Sequence, residues 1–418
     1  QEFETKIFTA WESSVDRDTI EFLKQPVIKR DIDDGRYSVN FNPHLNSIMQ
    51  EAKYLDRLGF NIPDSAVNVA LQEDKYHGLV EGLKEVISNF EHAVQTLRPP
   101  ERVVMADHIV RLEGTINRGM QSYNWNSLGI QDFIETCQRE IHDFQVLSVR
   151  VVNLADGIQS VVSSIGRSVL FHVPDGEDVL PGTLELHELD QFLESHMHES
   201  ILNLTKKYEG ISDQLMSIEQ LVDPPRPDNP VKPGRSRRLR TYYAYWEKKI
   251  FRSIGKLVVT SLATYHHHVR RSSTEAALFR VVFELSPPDV LVEPSKEDME
   301  RVLLRLTDKM VDSSKKFFRW MQGTCITANH GRLPDGNSDE VTFWSDISVS
   351  NQVVKRRRRV NYSIQYAVQT IEAMRDKWKA HFRHLWSQDR HLVADNFYTQ
   401  IRERIVEGRK MLGQSTDL

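Results

Sequence analysis

From Ile130 onward, apolar residues recur at Phe133, Ile134, Cys137, Ile141, Phe144, Leu147, Val151, Leu154, Ile158, Val161 and Ile165. The steps average close to 3.5, the spacing that keeps one helix face turned toward partner helices along its whole length. At 1.5 Å per residue such a helix extends roughly 50 Å, longer than a compact domain normally needs. A chain containing this element is constrained to bury it among other long helices. The composition agrees: only 39% of the 418 residues are hydrophobic and 27% are charged, as expected of long helices whose outer faces stay wet.

The rest of the sequence repeats this grammar. Leu79, Val80, Leu83, Val86, Ile87, Phe90, Val94 and Leu97 form one stripe at steps of three and four. Arg98-Pro99-Pro100 ends that segment, because neither proline can donate to a preceding turn. A second pattern from Glu101, with Val104, Ile109, Leu112, Ile116 and Met120, suggests an antiparallel helical hairpin. Another long helix is expected from about Leu184 to Leu221. Residues 223–237 carry five prolines and no apolar period, which marks a linker, with 223–240 expected to act as a joint or a partner-docking loop. Helical character returns at Tyr242, Tyr245, Trp246, Ile250, Ile254 and Val258. Phe279–Leu285 alternates with period two and reads as a lone strand. Ser295 and Asp298 form a capping box for a helix carrying Val302, Leu303, Leu306, Met310, Phe317, Phe318 and Met321, and two further helices are expected over 351–386 and 391–412. Residues 323–350 read as loop. The expected fold is all-α, an elongated array of antiparallel bundles with at most a short strand near 279–285. Its divisions are 1–128, a first bundle; 129–222, a long-helix bundle; 223–240, the proline-rich basic linker; and 241–418, a second bundle region.

Charge and motifs exclude several chemistries. Fifty-four Lys and Arg against 59 Asp and Glu leave a net charge of −5, so no global basic field holds nucleic acid or an anionic membrane. Two cysteines, Cys137 and Cys325, are too few for a disulfide scaffold or a Cys-built zinc site, and the chain reads as cytosolic. No apolar run approaches the ~20 residues of a membrane span. The sequence lacks the phosphate-loop pattern, G-x-G-x-x-G, G-x-S-x-G and H-E-x-x-H, so no catalytic, cofactor or metal residue is assigned. His196 and His198 lie two apart and diverge on a helix, which disfavours a shared ion. His266, His267 and His268 are consecutive and read as an incidental solvated face. Gln1 in place of Met, with a helical pattern running almost to the end, suggests a piece of a longer protein. Trp125, in Asn124-Trp-Asn-Ser127, reads as a structural joint, with Ser127 or Asn126 capping the long helix.

Two basic clusters are the partner-binding candidates. One comprises Arg235, Arg237, Arg238 and Arg240 beside Tyr242, Tyr243 and Tyr245; the other is Lys355-Arg356-Arg357-Arg358-Arg359. Aromatic and basic residues interleaved can stack on single-stranded nucleic acid, but an acidic chain without a nucleic-acid-binding fold argues against that use. Flanked by Val353, Val354, Val360, Tyr362 and Ile364, the second run more readily opens a helix with a basic face. That face is solvated or docks onto an acidic surface such as a microtubule or a neighbouring subunit.

Several stretches resemble, in order and approximate spacing, the N-terminal tail of dynein heavy chains, axonemal ones most. These are Val39-Asn-Phe-Asn-Pro43, Glu51-Ala-Lys-Tyr-Leu55, Leu58-Gly-Phe-Asn-Ile-Pro63, Asn124-Trp-Asn-Ser127 with Ile130 and Phe133-Ile134, Phe283-Glu-Leu-Ser-Pro-Pro-Asp289 with Pro294-Ser295, and Phe318-Arg-Trp-Met-Gln-Gly-Thr-Cys325. The resemblance implies a non-catalytic mechanical arm that anchors a microtubule motor ATPase to a doublet microtubule of the ciliary or flagellar axoneme. It implies assembly with dynein intermediate and light chains, with other dynein heavy chains or docking factors as further partners. The ATPase ring and stalk of the family would lie C-terminal to these residues. No cofactor, nucleic acid or membrane is implied for them. The competing readings are a generic helical scaffold or tether without a motor, and an enzyme with a helical active site, for which the sequence offers no convergent titratable groups.

Overall fold

The computed structural model describes residues 2–173, 184–224, 237–270, 277–286, 289–319, 342–387 and 390–415. Within them the chain forms α1 (Glu2–Leu23), β1 (Ile28–Arg30), β2 (Tyr37–Val39), α2 (Pro43–Arg57), α3 (Asp64–Leu71), α4 (Glu73–Gln95), α5 (Pro99–Val104), α6 (Ala106–Gln121) and α7 (Ile130–Arg167). There follow α8 (Leu186–Val222), α9 (Arg237–Val269), β3 (Val282–Ser286), β4 (Asp289–Glu293), α10 (Lys296–Asp312), a 3-10 turn at Ser313–Lys316, α11 (Trp344–Val349), α12 (Asn351–Ser387) and α13 (Arg390–Ser415). The fold is mostly all-α, with two antiparallel strand pairs among the described residues. Its residues group into two compact units, Gln1–Gln159 with Asp213–Trp246, and Ser160–Ser212 with Glu247–Leu418. Most of the expected linker, residues 225–236, lies outside the described residues.

In the first unit, α4 buries Leu79, Val80, Leu83, Val86, Ile87 and Phe90, as its stripe requires. The proline turn then starts a new helix at once: α5 opens on Pro99 with Arg98 as its N-cap residue, where a missing N–H is harmless. The β1–β2 hairpin, unforeseen in the sequence, meets both α4 and α6. Tyr37 packs edge-on to Phe90 at 5.9 Å, and its hydroxyl donates to Asn117 Oδ1 at 2.8 Å. Gly119 permits this approach, because a Cβ there would fall 2.7 Å from Ile28 Cδ1.

Asn124-Trp-Asn-Ser127 is a structural joint. Trp125 is 3% exposed, its indole N–H donates to the Asn40 carbonyl at 2.9 Å, and its ring meets Phe41 edge-on at 5.0 Å. Ser127 does not cap α7 as expected. Its hydroxyl accepts from the Asn124 N–H and donates to Asn124 Oδ1, while Phe133 N–H donates to the Gly129 carbonyl at the start of the helix. Gly129 has φ +85°, a conformation glycine adopts without Cβ strain.

The α7 pattern is stricter than its large residues suggest. Ile141, Phe144, Ser148, Val151, Ala155, Ile158, Val162 and Ile165 are buried, in unbroken alternation of three and four. Leu147, Leu154 and Val161 are only half-buried. The inward positions at 148 and 155 go to the small side chains Ser148 and Ala155.

In the second unit, α10 is the organising element. Ser295 caps it, accepting from Asp298 N–H at 3.2 Å. Arg305 and Lys309 pair with Asp190 and Glu194 of α8, so the two helices run parallel with a four-residue step on each. Lys296–Glu372 (3.0 Å) and Arg357–Asp308 (2.6 Å) set α12 antiparallel to α10. Helix α10 ends at Asp312; Phe317 and Phe318 fall beyond it, Phe318 bridging Thr342. The sequence expectation of a helix continuing through Phe318 is therefore corrected, and Met321 and Cys325 lie outside the described residues. The strand at 282–286 is not alone either. Asp289-Val-Leu-Val-Glu293 pairs with it in the register Val282↔Glu293 to Ser286↔Asp289. Five residues are too short a run to be recognised by alternation once two prolines precede them.

Candidate partner-docking site

Of the first basic cluster, Arg235 lies outside the described residues and Arg237 is the first residue of α9. Arg238 forms an ion pair with Asp107 of α6, and Arg240 is exposed. Of the neighbouring tyrosines, Tyr245 is half-buried and the other two are not a surface. Tyr242, Tyr243 and Trp246 are fully buried. The Tyr243 hydroxyl donates to Glu219 Oε2 at 2.6 Å; Tyr242 reaches Glu101 at 3.4 Å, the carboxylate that also holds Arg98 at 3.2 Å. Burial pushes both phenols well above their usual range, so each remains a donor to its carboxylate. Rings committed in this way cannot stack on a nucleic acid.

The second cluster has a different geometry. Val353, Val360, Ile364 and Val368 are the buried face of α12. Arg357 lies four residues after Val353 and three before Val360, and therefore shares that face. Its guanidinium is accommodated there by Asp308 of α10. Lys355, Arg358 and Arg359 are exposed and Arg356 is half-buried, and among the described residues none of the four has an ion-pair partner.

Arg358 and Arg359 border a recess of about 1120 Å³ between the last turn of α9 and the following turns of α12. Tyr362 and Tyr366 stand along it, 70% and 64% exposed. Val269, Ala367 and Ile371 give it an apolar lining, and Arg270 adds a further cation. His266 lies 3.0 Å from Ser363 Oγ and joins the two helices, so this histidine is a packed group rather than the solvated one expected. Burial, and then the cations Arg270, Arg356 and Arg359 and the neighbouring His267, hold its pKa below the usual histidine value. The recess is therefore electropositive. Sequence reading identified the basic run with Tyr362 beside it, but not Arg270 or Tyr366 as its companions. The signal was present: 359, 363, 366 and 370 follow one another at four, three and four, and 362 lies three after 359 and four before 366.

Among the described residues no group of three or more His, Cys, Asp or Glu side chains is placed to hold a metal, and no helix is long and apolar enough to cross a membrane. Cys137 is buried, and burial pushes its thiol up to about 12, which makes it a packing group.

The structure is a mostly helical chain that carries a basic, aromatic-walled recess. Residues 1–133 match the family described as dynein heavy chain, N-terminal region 1. Over 403 residues, 94% of its length, the chain is 34% identical to the dynein-1-alpha heavy chain of the flagellar inner arm I1 complex of Chlamydomonas reinhardtii. It is 29% identical over 363 residues, 86% of its length, to human dynein axonemal heavy chain 10. To the dynein gamma chain of the Chlamydomonas flagellar outer arm it is 21% identical over 408 residues, 95% of its length. The chain spans 8% of the length of each of these relatives. It belongs to the dynein heavy chains, as a stretch of the N-terminal tail of the axonemal kind. Two stretches that carry the resemblance, Val39–Pro43 and Asn124–Ser127, meet in the structure through Trp125, Asn40 and Phe41.

Proposed function

We propose that these residues form a non-catalytic arm of an axonemal dynein heavy chain, which anchors the motor to the doublet microtubule and serves as assembly platform for intermediate and light chains. The observation that carries this reading is the likeness of 94% of the chain to a heavy chain of a flagellar inner arm complex. Long helices packed side by side suit the mechanical part of the role, since they place many backbone hydrogen bonds and apolar contacts under load in parallel. Nucleotide hydrolysis and microtubule stepping are assigned to the heavy chain outside these residues, and the site of action to the axoneme.

The test is a heavy chain lacking residues 1–418, expressed in ciliated cells that lack the endogenous chain. Nucleotide hydrolysis by the purified motor should persist, while incorporation into axonemes and co-purification of intermediate chains should fall at least tenfold. Normal incorporation with a full complement of subunits would overturn the reading.

A further inference from the structure

We propose that the recess between the last turn of α9 and the Arg358–Ile371 face of α12 is the docking site for a single acidic amphipathic helix of a partner polypeptide. The inference deepens the platform reading, and rests on it, by naming the partner chemistry that one surface selects. Three observations converge. The recess is lined along α12 from Arg358 to Ile371, which at 1.5 Å per residue is a track of roughly 20 Å, long enough for between three and four turns of a helix. Its lining combines apolar groups, Val269, Ala367 and Ile371, with two tyrosines whose rings are mostly exposed. Such rings supply large, stiff contact area, and they are enriched where partners bind. Its cations, Arg270, Arg358 and Arg359, have no carboxylate partner among the described residues, whereas Arg357 on the adjacent face is matched by Asp308. Burial first, and then the cations Arg270, Arg356 and Arg359 with His267, lower the pKa of His266 on the wall of the recess.

An apolar stripe flanked by carboxylates satisfies both halves of this surface. A flexible acidic peptide without such a stripe would leave the apolar lining uncovered. A nucleic acid would place phosphates over that lining, on a chain of net charge −5. Helix-in-groove recognition needs apolar anchors at i, i+3/i+4 and i+7, and the three-and-four spacing of the α12 residues presents a matching row.

The experiment uses the full-length heavy chain and three synthetic helical peptides of about 15 residues. One has a Leu/Ile stripe with Glu flanks, one the same stripe with Lys flanks, and one Glu flanks with the stripe replaced by Ser. Fluorescence anisotropy at physiological salt should show binding of the first only. Arg358→Glu with Arg359→Glu should weaken it at least tenfold, Arg358→Lys with Arg359→Lys less than threefold, and Ala367→Trp should block it. Equal binding of the three peptides, or binding indifferent to Ala367→Trp and the charge reversal, overturns the proposal. In the assembled dynein complex, benzoylphenylalanine at position 366 should cross-link to a partner stretch with acidic residues on either side of an apolar stripe. An adduct to tubulin or to the heavy chain itself, or no adduct, overturns it. A charge-reversed chain that still recruits its full set of subunits sinks the recess alone. A tail-deleted chain that recruits them sinks the platform reading as well.

Discussion

The start of α9 and the middle of α12 look alike as sequence: each sets arginines beside tyrosines within a few positions. They are opposites as structure. On α9, Tyr242, Tyr243 and Trp246 turn inward, the phenols are taken up by Glu101 and Glu219, and Arg238 is neutralised by Asp107. On α12, Tyr362 and Tyr366 stand in solvent, and Arg358 and Arg359 face a recess without carboxylates among the described residues. Density of charge and aromaticity is a property of a sequence. Availability for binding depends on whether the fold supplies counter-charges and acceptors nearby, and in the first unit it does. The residues around one cluster are taken up inside the fold, and the other stays exposed.

The comparison can be tested by substitution. The largest effect is expected at Trp246→Ala, a fully buried ring, with a loss of about 3–5 kcal/mol in chemical denaturation. Tyr362→Ala should stay within about 0.5 kcal/mol, the range of exposed positions; similar losses from the two would break the contrast. Next comes Tyr243→Phe, which removes a 2.6 Å donor from the buried Glu219 carboxylate. About 1.5–3 kcal/mol is expected for a hydrogen bond to a charged group, and a change below about 0.5 kcal/mol would mean the phenol is not committed as described. Arg357→Ala should cost at most about 1 kcal/mol, less at high salt, because its pair with Asp308 is half-exposed on both sides. A larger loss would show that the arginine is integral to the α12 packing face.

The smallest effect concerns pH. His266 has a folded-state pKa below its unfolded value, so as pH falls through about 6.5 the unfolded chain binds the proton first. Stability should be insensitive to this group at pH 8, decline as the pH drops below about 6.5, and level off only below the folded pKa. Urea midpoints between pH 8 and pH 5 should show this decline, flattened in His266→Gln. An unchanged slope would remove His266 from the electropositive recess.

Much of the helical fold was legible because burial periodicity is a local property. The α4 stripe, the Ser295 cap and the long α7 could each be read from neighbours within a few turns, and the proline pair after Arg98 marked a helix boundary from chemistry alone. The strand pairs were less legible. A three-residue strand carries almost no periodic signal, and the contacts of β2 through Tyr37 are with Phe90 of α4 and Asn117 of α6, both distant in sequence. The candidate site was half legible: the basic run was plain, but its aromatic and cationic companions come partly from α9, nearly a hundred residues earlier in the chain.

By itself, then, the sequence determined the long helices with a clear apolar stripe, their packing faces, and the stretches that link this chain to the dynein heavy chains. Those depend on spacing along one backbone, and a helix writes its burial pattern at a fixed period. Only the tertiary structure decided which of the two basic clusters is satisfied internally and which is open. Pairing an arginine with Asp107 or Asp308, or placing Val269 and Arg270 across from Tyr362, is settled by through-space distances between distant segments, and no local period encodes them.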